Sequence, residues 1–311
     1  MLIESVREEF GRLLVEMGRE RGDLVVVDAD VSISTKTALF AKIFPERFIQ
    51  VGISEQDLVS TAAGLALGGL TPVVCTFAVF LMRGWEQIRN IIARARLNVK
   101  IVGTHSGLSD YFDGSSHQCF EDIGLMRILP NVTVVSPADA LSLRKLFRKS
   151  VELKVPVYLR LGRDHNFKIY EDENSVKLGE ISILEDGKDA VMISTGAMVG
   201  VALLASKILK RKGYSVGVAD VHTIKPLDEY TLIKLAQKTG LLFTLEDHNI
   251  YCGLGSAVAE LLSEKYPVPV IRMGLRDKFG RSSLNFFKLL DYVGLSPRRV
   301  AEKVEGVLNG V

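Results

Sequence analysis

The sequence predicts an α/β protein of two domains, each a mostly parallel sheet flanked by helices. Two observations lead to this prediction. Short apolar runs alternate with segments of helical periodicity, and continuous apolar runs are typical of buried parallel strands. A polar stretch at residues 170–175 interrupts the alternation, which then restarts, as expected for a linker. A chain of 311 residues is also long enough for two cores.

The first domain is expected to span residues 1–170. It contains Ser54, a favourable N-cap, and Gly68-Gly69, a favourable stop, on either side of one predicted helix. The expected strands are 24–28, 48–53, 71–75, 99–103, 132–135 and 157–160. The expected helices are 5–19, 55–67, 81–96, 119–128 and 138–151.

After a linker at residues 171–180, the second domain is expected to cover residues 181–311. Its strands are predicted at 190–196, 215–220, 241–245 and 268–272. Its helices are predicted at 198–212, at 228–239 and after Gly253. The alternation of strand and helix again predicts a parallel sheet.

The composition is that of a globular enzyme from a reducing compartment. The net charge is +2 and the charges are interspersed, so no nucleic-acid partner is predicted. The three cysteines are far apart and odd in number, which suits neither a disulfide framework nor a zinc site. The N-terminal segment lacks the long apolar core of a signal peptide or membrane span. We therefore expect a cytoplasmic protein with no membrane contact.

The segment 47–58 places one acidic residue at the start of a helix. Residues 48–53 have the apolar content of a strand, and Glu55 follows the N-cap Ser54. A simple interpretation is that Glu55 only complements the helix dipole, which is worth about 0.3–1 kcal/mol. A position just after a strand also suits a carboxylate with a catalytic task.

A second polar segment follows the strand at 99–103. It contains His105, Asp113 and His117 within one strand-exit loop. Ligands of open α/β sheets bind beyond the carboxyl ends of the strands, so we expect this loop and Glu55 to meet at one crevice. Imidazole exchanges protons near neutral pH, which fits a role in proton transfer. The same loop residues could equally belong to an ordinary surface turn.

These two segments, with the stretch 75–80 between them, resemble the pyrimidine-binding half of transketolases. The resemblance continues to the C-terminus and includes the spacing of His105, Asp113 and His117. It implies a thiamine-diphosphate pyrimidine-binding domain followed by a transketolase C-terminal domain. Phe112 and Ser115 stand where the family usually has an acid and often a proline, so the backbone of this loop is expected to differ.

The resemblance implies which residues bind the cofactor. Transketolases depend on thiamine diphosphate, and Glu55 matches the glutamate that activates its pyrimidine ring. Phe77 and Phe80 match the aromatic wall against that ring, and Asp30 matches a residue near the thiazolium. Taken alone, two phenylalanines are more often core residues. Arg83 stands where some family members have an aromatic residue, and its role stays open.

The resemblance also implies catalytic histidines and a substrate site. His117 matches a residue near the reacting carbon, where it would act with Glu55 and His105. The positions that match the substrate-binding set are Arg7, Ser34, His105, Asp113 and Arg163. Arg7 lies on an amphipathic helix, where arginine usually just faces water. Arg160 falls outside the pattern, and residues 246–248 are interpreted as structural or interfacial.

The resemblance also implies that the diphosphate-binding domain of the family lies outside this chain. Thiamine enzymes bind the diphosphate through a metal held by a Gly-Asp-Gly motif and a later asparagine, and Gly22-Asp23-Leu24 lacks the second glycine. We therefore expect no metal site in this chain and a separate diphosphate-binding subunit that holds Mg²⁺. A heterotetramer with two copies of each subunit is the family-based expectation. The chain alone is expected to be inactive.

The implied activity is that of transketolase in the pentose phosphate pathway, the transfer of a two-carbon ketol unit from a ketose phosphate to an aldose phosphate. Two related thiamine enzymes stay open as alternatives, 1-deoxyxylulose-phosphate synthase and the β subunit of a 2-oxo acid dehydrogenase. The spacing of Asp113 and His117 favours transketolase. A non-catalytic scaffold that has kept the fold is the alternative from another class.

Overall fold

A computed structural model describes residues 2–164 and 166–310, and these residues form the expected α/β architecture. The strands are β1 (Ile3–Glu4), β2 (Leu24–Asp28), β3 (Phe48–Gln50), β4 (Thr71–Phe77), β5 (Lys100–Thr104), β6 (Thr133–Val135), β7 (Val157–Arg160), β8 (Asn166–Phe167), β9 (Ser182–Glu185), β10 (Ala190–Ser194), β11 (Val216–Asp220), β12 (Thr223–Lys225), β13 (Leu242–Asn249) and β14 (Val270–Leu275). The helices are α1 (Val6–Glu20), α2 (Ser32–Thr35), α3 (Ala38–Ile43), α4 (Glu55–Leu67), α5 (Ala78–Leu81), α6 (Trp85–Gln87), α7 (Asp122–Arg127), α8 (Ala140–Glu152), α9 (Met198–Arg211), α10 (Glu229–Thr239), α11 (Leu254–Lys265), α12 (Phe286–Tyr292) and α13 (Pro297–Leu308).

The first sheet has seven strands in the order β12-β6-β7-β5-β4-β2-β3. All neighbours are parallel except the β12/β6 pair. Helices cover both faces, so successive side chains of one strand enter two different cores. Val73 of β4 packs in the core that contains Phe10 of α1. Val74, the next residue, packs in the core that contains Leu58 of α4.

The second sheet has five strands in the order β14-β13-β10-β11-β9, and only the edge strand β9 runs antiparallel. One strand connects the two sheets. β12 follows β11 of the second sheet in sequence but pairs with β6 of the first sheet. None of the described helices combines the length and the apolar character needed to cross a membrane.

The prediction of one continuous helix after β4 was wrong. The helix predicted at 81–96 is interrupted by a 3₁₀ turn (Met82–Gly84) and a π-helical segment (Ile88–Ala93). The interruption coincides with Gly84, where an added Cβ would lie 2.8 Å from the carbonyl oxygen of Glu55. Ser54 does occupy the N-cap of α4, but its side chain makes no capping hydrogen bond.

Candidate active site at the carboxyl edge of the first sheet

Five loops leave the same edge of the first sheet, because β2, β3, β4, β5 and β7 are parallel. They carry the predicted site residues Asp30, Ser34, Glu55, Phe77, Phe80, His105, Asp113, His117 and Arg163. Arg7 reaches the same region from α1, because its guanidinium contacts the loop after β2. These residues therefore share the edge at which an open α/β sheet binds ligands.

Glu55 is the first residue of α4, and its side chain is only 5% exposed. Nε of Arg83 lies 3.5 Å from Oε2 of Glu55. The Arg83 side chain is 78% exposed, so solvent screens this pair and it contributes little to stability. Glu55 is therefore a buried carboxylate whose cationic partner lies in solvent.

Four rings form one aromatic group made of Phe77, Phe80, His105 and His117. The ring of Phe77 stacks on Phe80 at 5.0 Å between centroids and on His105 at 3.6 Å. The ring of His117 meets Phe80 edge-on at 5.4 Å. Offset stacks and edge-to-face contacts are the favourable arrangements of aromatic rings. Phe77 and Phe80 thus pack with both histidines.

The environment of His105 keeps its imidazole neutral. The residue is buried in a left-handed backbone conformation with φ of +56°, and Nδ1 lies 2.9 Å from the hydroxyl of Thr104. Burial, together with the positive charges of Arg7 and Arg163 and the nearby His117, lowers the pKa of His105 to about 2. Each of these causes disfavours the charged form. His105 is therefore a hydrogen-bonding group at neutral pH and carries no charge.

The two predicted arginines are linked through Asp164. Nη2 of Arg7 lies 3.2 Å from Oδ2 of Asp164, and Nε of Arg163 lies 3.8 Å from the same oxygen. Nη1 of Arg7 also donates to the main-chain oxygen of Ser34 at 2.8 Å. The hydroxyl of Ser5, the N-cap of α1, donates to Asp164 at 2.6 Å. Arg7 therefore faces the site and not water.

Arg163 has a stronger partner in Asp110. Its Nη1 lies 2.8 Å from Oδ1 of Asp110, which is fully buried, and 3.9 Å from Oδ2 of the exposed Asp113. Burial and the neighbouring Asp113 raise the pKa of Asp110. Arg7 and Arg163 are thus both paired with carboxylates, and their positive charge is largely balanced.

Gln50 ties the Asp30 loop to the loop before Glu55. Its Oε1 accepts from the backbone amides of Asp30 at 2.7 Å and Gly52 at 3.0 Å. Its Nε2 donates to the buried carboxylate of Asp28 at 3.3 Å. The side chain of Asp30 is exposed, so it is free to meet a ligand. Gln50, Asp110 and Asp164 were not among the predicted site residues. Asp164 directly follows Arg163, so its position beside the predicted arginine was a signal in the sequence.

Arg160 lies outside this group of site residues and joins the two halves of the chain. It is buried, with Nε 2.8 Å from Oδ2 of Asp122 and Nη1 2.7 Å from Oδ1 of Asp247 on β13. His248 also contacts the first half, since its Nε2 accepts from the amide of Gly124 at 3.4 Å. The interfacial interpretation of residues 246–248 agrees with these contacts.

Comparisons with known proteins agree with the two domains. Residues 4–167 match the family described as transketolase, pyrimidine binding domain, and residues 179–300 match transketolase, C-terminal domain. A "Putative transketolase C-terminal section" of Methanocaldococcus jannaschii is 42% identical over 97% of this chain and 95% of its own length. The "6-deoxy-6-sulfo-D-fructose transketolase subunit SqwH" of a Clostridium species is 36% identical over 97% of this chain and 94% of its own. A solved structure described as "Split gene transketolase, inactive beta4 tetramer" has a TM-score of 0.90, with 44% identity and 98% coverage of both chains.

Proposed function

The chain belongs to the transketolase family, and we propose that it is the pyrimidine-binding subunit of a split transketolase. With a separate diphosphate-binding subunit, it transfers a two-carbon ketol unit from a ketose phosphate to an aldose phosphate. Two relatives that this chain covers over nearly their whole length are named as a section and a subunit of transketolases, which supports a split enzyme. The proposed domain boundaries are 1–170 and 181–311, with a linker between them.

The observation that carries the proposal is the buried carboxylate of Glu55 on the edge of the sheet that also holds the stacked pair Phe77 and Phe80. The pyrimidine of thiamine diphosphate needs a carboxylate at a ring nitrogen and an apolar surface against its face. These side chains fit both needs, because a hydrogen bond to a carboxylate is stronger where solvent is excluded. Asp30 is proposed to lie near the thiazolium.

The bound cofactor would supply a nucleophilic carbon that attacks the ketose carbonyl. Glu55 would hold a proton shared with the pyrimidine nitrogen, and Phe77 and Phe80 would fix the plane of that ring. His117, half-buried beside Phe80, would move a proton at the reacting carbon, as imidazole does near neutral pH. His105, being neutral, would orient a substrate hydroxyl through a hydrogen bond.

The remaining residues are proposed to grip the substrate. Asp113 would accept a hydrogen bond from a sugar hydroxyl. Arg7 and Arg163 would bind the phosphate as charged donors, together with the hydroxyl of Ser34. Asp110 and Asp164 balance these guanidiniums, so the arginines must exchange carboxylate contacts for phosphate contacts when substrate binds.

The metal is proposed to lie in the partner subunit. Within residues 2–164 and 166–310, no group of three or more His, Cys, Asp and Glu side chains could hold a metal ion. A diphosphate needs a hard cation such as Mg²⁺, bound by oxygen ligands. We propose a heterotetramer with two copies of each subunit, and the inactive tetramer of a relative supports inactivity of this subunit alone.

The test is transfer from xylulose 5-phosphate to ribose 5-phosphate, with thiamine diphosphate and Mg²⁺ present. This chain alone is compared with the same chain plus a candidate diphosphate-binding subunit. Activity in the mixture alone is the expected result. Activity of the isolated chain would refute the need for a partner, and no ketol transfer by a mixture shown to assemble would refute the transketolase assignment. Because the SqwH relative is named for a sulfonated sugar, the donors tested include sugars with a sulfonate in place of the phosphate.

A further inference from the structure

The second half of the chain reaches the proposed catalytic loop through one irregular segment. This connector, residues 276–285, links β14 to α12 and has no regular secondary structure. Most of its side chains are exposed, among them Phe279 and Leu284. Its contacts with the catalytic loop, residues 105–118, are therefore made mainly by its backbone.

Two hydrogen bonds fix the catalytic loop to the connector. The amide of Ser283 donates to the main-chain oxygen of Tyr111 at 2.7 Å. Nε2 of Gln118 donates to the main-chain oxygen of Arg281 at 3.0 Å and to that of Asp110 at 3.4 Å. The side-chain amide of Gln118 thus bonds both to Asp110, at the start of the segment 110–118, and to the connector. Polar links of this kind, here partly buried, restrict a loop to one conformation.

Close backbone approach at two glycines reinforces the contact. A Cβ added at Gly280 would overlap Oε1 of Gln118 and would lie 2.9 Å from its Cδ and 3.1 Å from the ring of Phe120. A Cβ added at Gly114, where φ is +81°, would overlap Oγ of Ser282 and would lie 3.0 Å from its amide nitrogen. Each glycine therefore lets the two segments pack more closely than a side chain would allow.

We propose that the connector positions the catalytic loop, with Gln118 and Gly280 as its positioning residues. His117 directly precedes Gln118, and Asp113 lies between Tyr111 and Gln118, the two points that are fixed. A shift of the fixed points would move both functional side chains together. A misplacement of about 1 Å can cost about 100-fold in rate. The second domain thus takes part in catalysis indirectly. This inference rests on the proposed function, because it takes His117 and Asp113 as functional residues.

The first test measures loop mobility in the isolated chain and needs no activity. Gly280→Ala should speed backbone hydrogen exchange of residues 111–118 by at least about tenfold. The added methyl group would push the connector away from Gln118 and weaken the hydrogen bonds that fix the loop. The matched control is Gly22→Ala, where an added Cβ meets nothing within 4 Å. The effect should shrink in the Gln118→Ala background, since Gln118 then no longer obstructs the added methyl group, and contacting residues are non-additive.

The second test measures steady-state kinetics with the partner subunit. Gly280→Ala should lower kcat by about 10- to 100-fold, while the affinity for thiamine diphosphate stays at the wild-type value because Glu55 and Phe77 are untouched. A loss of stability alone would reduce the amount of active enzyme and would leave the pH profile of kcat unchanged. A displaced His117 should instead change that profile.

The inference is refuted if Gly280→Ala matches Gly22→Ala in both hydrogen exchange and kcat. It is also refuted if exchange rises while kcat and its pH profile stay at wild-type values, because the loop position would then not matter for turnover. An inactive wild-type mixture would count against the proposed function instead. The exchange measurement would still decide whether the connector holds the loop.

Discussion

At the scale of single residues, Glu55 is unusual because it is buried without a buried partner. Buried carboxylates normally pair with a cation or with several donors, since an unpaired charge is costly inside a protein. Its ion-pair partner Arg83 is exposed, and a solvent-exposed guanidinium compensates little. A carboxylate held in this way is available to a ligand, and active sites are where such costs are tolerated.

Replacing Glu55 by Gln should remove the proposed proton-sharing group while keeping the volume of the side chain. We expect kcat of the assembled enzyme to fall by about 10²- to 10⁴-fold, the usual effect of losing an acid–base group, with an unchanged melting temperature. Asp57→Asn is the control, because Asp57 is exposed on the same turn of α4. Undiminished turnover in Glu55→Gln would remove the central functional claim.

The neutral state of His105 has a consequence for stability. Its pKa is lowered to about 2 in the folded chain, whereas an unfolded histidine titrates near about 6.5. Below that value the unfolded chain binds a proton that the folded chain does not, so stability falls as the pH decreases. The loss attributable to this residue approaches about 1.4 kcal/mol per pH unit below pH 6.

The measurement compares free energies of unfolding of wild type and His105→Asn at pH 7.5 and pH 5. Wild type should lose more stability between the two values, because asparagine does not titrate. NMR of the imidazole carbons should show His105 neutral at pH 5. Equal losses in the two proteins, or a charged His105 ring at pH 5, would contradict the prediction.

At the scale of secondary structure, the sequence was most informative where burial decides the conformation. Strands β2 and β7 have the predicted bounds, because both faces of a central parallel strand require apolar residues. The strand β12 and the broken helix after β4 were missed. A three-residue strand has too few positions for a period. The helix interruption lies where Gly84 packs against Glu55, a neighbour that the local sequence does not show.

The same limit explains which site residues were predictable. Parallel strands bring their carboxyl ends together, so residue types after the strands were enough to group Glu55 with the loop of His105. Phe77 was singled out only by the family resemblance. Hydrogen-bond and ion-pair partners that are distant in sequence could not be predicted from the local sequence pattern. Asp164 bonds Ser5, which lies 159 positions earlier, and Asp110 meets Arg163 across 53 positions.

Helix α8 and the chain after β8 share one buried cap, Asp139. Its Oδ1 accepts from the amide of Ser142, and its Oδ2 accepts from the amides of Ile169 and Tyr170, each at 2.8 Å. Asp139→Ala should therefore leave three amides without a partner. We expect a destabilisation of about 2–4 kcal/mol, which exceeds a typical cap because these groups are buried.

Chemical denaturation measures this effect, and Asp228→Ala is the matched control. Asp228 caps α10 and accepts from the amides of Thr231 and Ile181, but it is only half-buried. Water can then replace the lost acceptor, so we expect about 1 kcal/mol. An Asp139→Ala loss no greater than that of Asp228→Ala would show that burial of the cap does not matter.

At the scale of the whole molecule, the two halves are joined by pairing as well as by packing. β12 extends the first sheet from within the second half, and the connector 276–285 holds the catalytic loop. A third contact between the halves is the buried triad of Arg160, Asp122 and Asp247. The edge of the first sheet that carries the candidate site therefore contacts residues of both halves.

Arg160→Met tests how much this junction contributes. Methionine fills a similar length but leaves Asp122 and Asp247 buried without a cation, which typically costs about 3–5 kcal/mol. The unpaired carboxylates would have raised pKa values, and a raised carboxyl pKa means stability that is lost as the pH rises. The deficit relative to wild type should therefore be larger at pH 8 than at pH 5. Unfolding followed by denaturant titration at both pH values measures it.

Two comparisons make the Arg160 result specific to a buried ion pair. Arg144→Met removes a cation that bridges Glu9 and Glu16 where solvent still reaches all three side chains, and solvent-screened pairs contribute only about 0–1 kcal/mol. Combining Arg160→Met with Asp122→Asn and Asp247→Asn removes the charges altogether, which should recover stability lost in the single variant. If the single variant is as stable as Arg144→Met, or if its deficit does not grow with pH, the junction is held by packing and β12 pairing and the buried charges are dispensable. A deficit that exceeds that of Arg144→Met and grows with pH would show that Arg160 fixes the position of the second half against the first. Arg160→Met should then also speed hydrogen exchange in the catalytic loop.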